Sequence, residues 1–374
     1  MNRAAQSLAK GAAGLALLRI EQAATGQGSW QNVHAHLAEA LHGGVSAGPG
    51  MGLFYGAPAA AYAVHSATIG PGSYQRAIQA LDEAVATTTR ARLTAAHARI
   101  DRGLTPEFAE YDLLYGLTGL GAHLLRHHHD GELLRDVLAY LVRLTDPLPN
   151  GLPGWWTHLA PSGERSSEYL GGHGNLGLAH GISGPLALLA LATRHGVTVL
   201  GQPVAIRRIL TWLDAWRQDG PTGAWWPEAV TRQEEAARRT RQRGPLRPSW
   251  CYGTPGLARA QQLAALALAD TARQQLAETA VLGCLTDPAQ LGRLPDDGGL
   301  CHGTAGLYQT VWRIAQDSTN AAFAQHLAAL AALLPEPDED LAGLLDGTTG
   351  TALARSTAST GTALSGWDSC LLLN

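Results

Sequence analysis

The sequence predicts an all-α protein built from seven repeated helix pairs. A Gly-x-x-Gly signature recurs along the chain, an apolar stretch rich in small residues follows each copy, and an amphipathic stretch separates one copy from the next. The alternation of polar and apolar residues that is typical of strands is nearly absent. Each repeat is therefore predicted to contain one inner, apolar helix and one outer, amphipathic helix.

The signature occurs seven times, at intervals of 44 to 72 residues, from Gly11 to Gly350. The copies are KGAAG at 10, YGAPA at 55, YGLTG at 115, HGISG at 180, YGTPG at 252, HGTAG at 302 and DGTTG at 346, of which the copy at 55 is degenerate. One such motif carries little information, but seven of them indicate a repeat architecture. Glycine allows the backbone to approach other segments closely at the start of each inner helix.

Seven helix pairs can form an open solenoid or a closed ring. A ring brings the inner-helix N-termini to one face, where the residues before the first glycines line the mouth of a cavity: Lys10, Tyr55, Tyr115, His180, Tyr252, His302 and Asp346. Residues 66–111 carry no signature. There we expect either a small extension or a long helical segment, within a single domain over residues 1–374.

Composition limits the classes of partner and compartment. The chain has 374 residues, 45% of them hydrophobic, and a formal net charge of −4, which gives no reason to expect nucleic acid as a partner. Four widely separated cysteines do not form the disulfide framework of a small secreted protein. Arg19 and Glu21 end the first apolar run too early for a signal peptide. We therefore expect a cytoplasmic protein.

Cysteine and histidine ahead of two neighbouring signatures indicate a metal site. Cys251 and Cys301 each stand two residues before the first glycine of their copy, and His302 follows Cys301. Two thiolates and an imidazole suit zinc, and three protein ligands leave the fourth tetrahedral position open, as in catalytic zinc sites. A helix N-terminus also favours the thiolate form of cysteine. The alternative is two structural cysteines and a capping histidine.

Three further polar residues are candidates for the same site. His180 precedes the first glycine of the fourth repeat, and is a fourth zinc ligand, a general acid or base, or a core histidine. Asp112, four residues before its glycine, either orients His180 or caps a helix. Arg247 is held close to Cys251 by Pro248. The rest of the arginine-rich stretch before it is expected to be a solvated loop.

Tyr252, Trp250 and Asn175 are predicted to add apolar and hydrogen-bonding walls to a substrate site. Packing in the core explains each of them equally well. Cys284 and Cys370 lie away from the signatures and are expected to be inert core residues.

Six stretches of the chain together resemble the lanthionine synthetase C family, the zinc-dependent cyclases of lantibiotic biosynthesis. They run from Ser7 to Leu373 and are SLAKGAAGLALL, YDLLYGLTGLGAHLL, NLGLAHGISGPLALLA, RPSWCYGTPG, CHGTAGL and GWDSCLLL. The resemblance implies an α/α toroid of seven helix pairs. It also implies Zn²⁺ as the cofactor, with the ligands Cys251, Cys301 and His302. The family's acid/base residues fall on His180 and Asp112, and its active-site arginine falls on Arg247.

The activity that the resemblance implies is the closure of thioether rings. A cysteine thiol of a dehydrated precursor peptide, which consists of a leader and a core, adds to a dehydroalanine or dehydrobutyrine of the same peptide. The product is lanthionine or methyllanthionine. Dehydration requires a separate dehydratase, and a membrane transporter complex is a further expected partner, which would place the protein at the membrane periphery. In the second repeat Ala59 replaces the second glycine, and no chemistry depends on this position.

Two other functions fit parts of the pattern. α/α barrels also occur in thiol-prenylating enzymes, although their zinc sites usually include an aspartate, and in glycosidases, which need two carboxylates in the cavity. A third possibility is a toroid without cyclase activity that binds zinc together with glutathione or a partner protein. The occurrence of Asp112, His180 and Arg247 beside the zinc ligands favours a catalyst.

Overall fold

The computed structural model describes residues 4–295, 298–336 and 343–374. The chain divides into two units. The first consists of Met1–Thr89 and Leu294–Leu372 together with Asn374, and the second of Arg90–Arg293 together with Leu373. The prediction of a single domain stays a prediction.

Helices dominate the described part of the chain. The α-helices are α1 (Ala12–Ala24), α2 (Trp30–Leu41), α3 (Ala57–Ser66), α4 (Gln75–Asp101), α5 (Phe108–Tyr111), α6 (Leu117–His127), α7 (Glu132–Leu144), α8 (Ser183–Arg194), α9 (Gln202–Ala215), α10 (Arg232–Ala237), α11 (Thr254–Leu268), α12 (Thr271–Leu285), α13 (Pro288–Leu291), α14 (Thr304–Gln316), α15 (Ala322–Ala332) and α16 (Thr348–Thr360). Short 3₁₀ helices cover Ala67–Ile69, Ser167–Tyr169 and Trp367–Leu371. None of the helices in the described ranges is long and apolar enough to cross a membrane.

Two small antiparallel sheets accompany the helices in the second unit. Strand β1 (His173–Asn175) pairs with β4 (Ala229–Thr231), and His173 lies opposite Thr231. Strand β2 (Gln218–Gly220) pairs with β3 (Gly223–Trp225) in a tight hairpin. Each strand has three residues, which is too short to produce a polar–apolar alternation in the sequence.

The predicted signatures mark helix starts throughout the described ranges. Six of the seven inner helices have the first glycine of the signature as N-cap. The exception is α8, which begins two residues after its first glycine, Gly181, and has Ile182 as N-cap. The second glycine is needed because the preceding loop folds back onto the first helical turn. A Cβ atom on Gly256 would overlap the carbonyl oxygen of Trp250, and one on Gly306 would overlap that of Leu300. In both repeats the carbonyl belongs to the residue six positions earlier.

Burial separates the two kinds of helix as expected. Inner helix α8 is buried from Ser183 to Ala192, whereas outer helix α2 buries only Val33, Leu37 and Ala40, on one face. In the second unit α6, α8 and α11 pack in sequence, with α7, α9 and α12 against them respectively. Residues 75–101 form the long helix α4, which continues from the first unit into the second.

Within the first unit the first and last repeats are in contact. Helix α1 packs against α16, and α16 packs against α14. The buried carboxylate of Glu21 in α1 accepts hydrogen bonds from the amides of Leu364 and Ser365, at 2.9 and 2.8 Å. Asp368, completely buried in the terminal GWDSC motif, forms a two-bond ion pair with Arg313 of α14. The terminal motif therefore has a structural role.

Candidate active site

Main-chain hydrogen bonds join the segments that precede neighbouring signatures. In the second unit the amide of Leu113 donates to the carbonyl of Ala179 at 3.0 Å, and the amide of Leu178 donates to the carbonyl of Cys251 at 2.9 Å. These bonds connect the third repeat to the fourth and the fourth to the fifth. They fix the places of Asp112, His180 and Cys251 relative to one another.

Asp112 and His180 form a hydrogen-bonded pair just before the N-termini of α6 and α8. Asp112 Oδ2 lies 2.7 Å from His180 Nδ1, and Oδ1 accepts from the amides of Tyr115 and Gly116 at 2.7 and 2.8 Å. Asp112 is completely buried, and the His180 side chain is 14% exposed. One oxygen of Asp112 therefore holds the turn that precedes α6, and the other contacts the ring of His180. The orientation leaves Nε2 for proton exchange.

Two aromatic rings hold the imidazole of His180. The ring of Tyr115 stacks on it with centroids 6.1 Å apart and planes 21° apart. Phe108 meets it edge-on, at 6.0 Å and 66°. Phe108 had no signal in the sequence, because it lies outside any signature. Tyr115 and Phe108 therefore enclose the imidazole of His180 on two sides.

A second group of charged residues surrounds Cys251. Cys251 is buried, and Ser249 Oγ lies 3.7 Å from its Sγ. Burial raises the pKa of Glu228 above its usual range, the Arg247 guanidinium opposes that rise, and Cys251 and Glu168 add to it. Arg247 is half-buried and its Nε has no hydrogen-bond partner among the described residues. Glu228 was missed in the sequence because it lies between two repeats, 23 positions before Cys251.

The predicted wall residues form a compact packing unit. Asn175 Nδ2 donates to the hydroxyl of Tyr252 at 3.0 Å, and Asn175 Oδ1 accepts from the amide of Gly177 at 2.9 Å. Burial raises the pKa of the Tyr252 hydroxyl. Trp250 is completely buried. The packing explanation accounts for these contacts, and contact with substrate stays a prediction for all three residues.

The first unit contributes Cys301 and His302, immediately ahead of α14. The amide of Cys301 donates to the carbonyl of Leu345 at 2.8 Å, which joins the sixth repeat to the seventh. Both Cys301 and His302 are half-buried. The predicted ligands are therefore divided between the units, with Cys251 in the second, and a shared zinc site is part of the proposal below.

Comparison with known proteins identifies a family and similar proteins. The family model for lanthionine synthetase C-like protein matches residues 4–372. Nisin biosynthesis protein NisC from Lactococcus lactis subsp. lactis is 26% identical over 208 residues, which are 54% of this chain. The match spans 48% of that relative's length, or about half of it.

The solved structure of nisin cyclase is similar over the whole chain. The TM-score is 0.83 at 20% sequence identity, and the match covers 100% of this chain and 93% of the other. The two proteins share a fold. The predicted fold class, an α/α toroid, is thereby confirmed.

Proposed function

Because the chain belongs to the lanthionine synthetase C-like family, we propose that it is a zinc-dependent cyclase. It adds cysteine thiols of a dehydrated precursor peptide to dehydroalanine or dehydrobutyrine in the same peptide, and so forms lanthionine and methyllanthionine rings. The observation that carries the proposal is the His180–Asp112 pair, which main-chain bonds connect to the segment of Cys251. A separate dehydratase must supply the substrate, and a membrane transporter complex would receive the product.

The chemistry of three side chains fits a zinc ion. Cys251, Cys301 and His302 offer two sulfur atoms and one imidazole nitrogen, a ligand set that zinc accepts in tetrahedral sites. Each of the two segments directly precedes an inner helix, α11 or α14, whose N-terminus favours negative charge on sulfur. When bound, zinc would supply an open coordination position and lower the pKa of a substrate thiol towards neutrality.

The residues of the chain account for the remaining proton and charge transfers. The peptide sulfur forms a bond to the β-carbon of the dehydro residue, the C=C π bond breaks, and negative charge develops on the adjacent carbonyl oxygen. The half-buried guanidinium of Arg247 stabilises this enolate. His180 Nε2 delivers a proton to the α-carbon, while Asp112 holds the imidazole through Nδ1. The proton lost by the thiol balances the one gained by carbon, so the peptide keeps its mass.

Incubation of the protein with a dehydrated precursor tests the proposal. We expect the peptide to lose reactivity towards a thiol-alkylating reagent while its mass stays constant. Added glutathione should compete weakly, because a cysteine within the same peptide has a high effective concentration near its acceptor. Thiols that stay free with zinc bound would instead identify a binding protein. Alkylation of the thiol by an added isoprenoid diphosphate would identify a prenylating enzyme.

A further inference from the structure

The arginine-rich segment before Arg247 is ordered by its neighbours and presents its cations on one side. Arg239, Arg241 and Arg243 are exposed, whereas Thr240 and Gln242 between them are half-buried. Thr240 Oγ1 donates to Glu234 Oε1 at 3.3 Å, and Gln242 Oε1 accepts from the amide of Glu228 at 3.2 Å. Alternate side chains therefore point in opposite directions, as they do in an extended chain.

The three arginines line one cavity of about 890 Å³ within the second unit. The hairpin of β2 and β3 contributes Asp219 and Trp225 to its wall. We call this cavity the arginine pocket. Its volume lies within the range of about 300–1,000 Å³ that is common for ligand-binding clefts.

The three arginines of the arginine pocket outnumber the two carboxylates in its lining, Asp219 and Glu234. Among the described residues, no carboxylate lies within ion-pair distance of Arg239, Arg241 or Arg243. Both oxygens of Glu234 are occupied by Thr231, Thr240 and the amide of Arg241. Uncompensated cations in a concave site favour an anionic ligand, because partial exclusion of water strengthens each charge interaction.

A second cavity borders the arginine pocket. It measures about 540 Å³ and shares Glu234, Arg241 and Gln242 with the pocket. Its other end reaches Glu228, whose charge interacts with Arg247 and Cys251. Both cavities and Cys251 therefore belong to the second unit.

We propose that the arginine pocket binds an acidic segment of the precursor peptide, through ion pairs between its carboxylates and the three guanidinium groups. This inference rests on the proposed function, because the bound chain is the one whose cysteines react. A guanidinium pairs with a carboxylate through two parallel hydrogen bonds, so an acidic peptide suits these arginines chemically. The concave shape of the arginine pocket favours a peptide over a flat lipid surface.

Binding without turnover tests the inference independently of the cyclase chemistry. The probes are a labelled glutamate-rich peptide and its glutamine counterpart, measured by fluorescence anisotropy at low and high salt. The test variant combines Arg239→Gln, Arg241→Gln and Arg243→Gln. The matched control removes the same charge elsewhere on the second unit, by Arg90→Gln, Arg102→Gln and Arg207→Gln, all at exposed positions.

We expect the test variant to bind the glutamate-rich peptide roughly tenfold more weakly than the wild type, since three partly exposed ion pairs are lost. The control variant should keep most of the affinity, and an all-lysine version of the test variant, which keeps the charge without the paired hydrogen bonds, should bind with intermediate affinity. The glutamine peptide should bind weakly to every protein. A dehydrated core peptide without acidic residues should be cyclised at the wild-type rate by the test variant.

Equal losses in the test and control variants would show a general effect of net charge and overturn the inference. So would unchanged binding by the test variant. Arginine-dependent binding to vesicles that contain phosphatidylglycerol, with none to the peptide, would assign the pocket to lipid. If the wild type binds the acidic peptide but cyclises nothing, the proposed function fails while the pocket remains.

Discussion

Among the described residues each unit has one histidine–carboxylate pair that is shielded from solvent, and the surroundings of these two pairs differ, whereas a third pair, His129–Asp130, is exposed. His180 Nδ1 lies 2.7 Å from Asp112, and His65 Nε2 lies 2.9 Å from Asp82. Asp112 is completely buried ahead of inner helix α6, whereas the side chain of Asp82 is 26% exposed on α4. His65 lies in the last turn of α3, far along the helix from its glycine signature. Distance alone does not distinguish the pairs, but position relative to the signature does.

The cysteines show the same contrast. Cys251 and Cys301 directly precede α11 and α14. Cys284 lies near the end of outer helix α12, where its sulfur donates to Gln290 Oε1 at 3.2 Å, and burial raises the pKa of its thiol to about 12. Burial also raises the pKa of Cys370. The cysteines that are proposed to act in the site thus precede inner helices, whereas Cys284 and Cys370 are buried elsewhere in the fold.

The largest effect is expected from a change of zinc ligand. Cys301→Ala should reduce bound zinc from one ion per chain to none, abolish cyclisation and lower stability, because metal binding and folding are coupled. Cys284→Ala should keep its zinc. Elemental analysis of the purified variants measures both. Zinc retained by Cys301→Ala would remove that residue from the ligand set.

Substitutions of His180 and of His65 should change the rate of cyclisation by factors that differ by orders of magnitude. His180→Asn removes the proposed proton donor and should slow cyclisation by about 10²–10⁴-fold with zinc retained. His65→Asn should leave the rate nearly unchanged. Thiol loss from a dehydrated precursor gives the rates. If His180→Asn loses its zinc, His180 is a fourth ligand and the open coordination position does not exist.

Substitution of Asp112 should slow cyclisation more than substitution of Asp82 does, but the difference should be smaller than that between the two histidines. Asp112→Asn keeps an oxygen for the amides of Tyr115 and Gly116 but places a donor NH₂ group against His180 Nδ1, so Nδ1 has to accept and the protonated imidazole loses its carboxylate partner. We expect a loss of about 10²-fold in rate, the size associated with displaced catalytic groups. Asp82→Asn is the control and should cyclise normally. Comparable rates for the two variants would make Asp112 a helix cap only.

Much of the fold is predictable because one steric requirement repeats. The second glycine has to clear a carbonyl six residues earlier, so Gly256 and Gly306 leave a readable mark at the starts of α11 and α14. Inner and outer helices can be told apart in the sequence because inner helices are mostly apolar on all faces and outer helices on one face only. The strands β1 to β4 were not predictable, because three residues are too few to show an alternation of polar and apolar side chains.

The site is predictable where its residues share a place in the repeat. The position in the repeat singles out Cys251, Cys301, His302 and His180 as candidates, and the sequence leaves two roles open for Asp112. Glu228 and Phe108 are not singled out, because their relation to the site depends on contacts between distant segments. The main-chain bond from Leu178 to Cys251 is equally invisible in the sequence, since any residue type can form it.

The smallest effect concerns the stability that buried Cys284 provides. Its folded pKa of about 12 exceeds the ordinary value of 9.0, so the folded state binds the proton more tightly than the unfolded state. The resulting stability is fully present below pH 9 and is lost as pH rises from about 9 towards 12. The advantage of the wild type over Cys284→Ala in free energy of unfolding should therefore shrink by about 1.4 kcal/mol between pH 8 and pH 10. Urea titrations at both pH values measure it. A constant difference would show that the thiol ionises equally in both states, and Cys284 would then no longer contrast with the cysteines that precede α11 and α14.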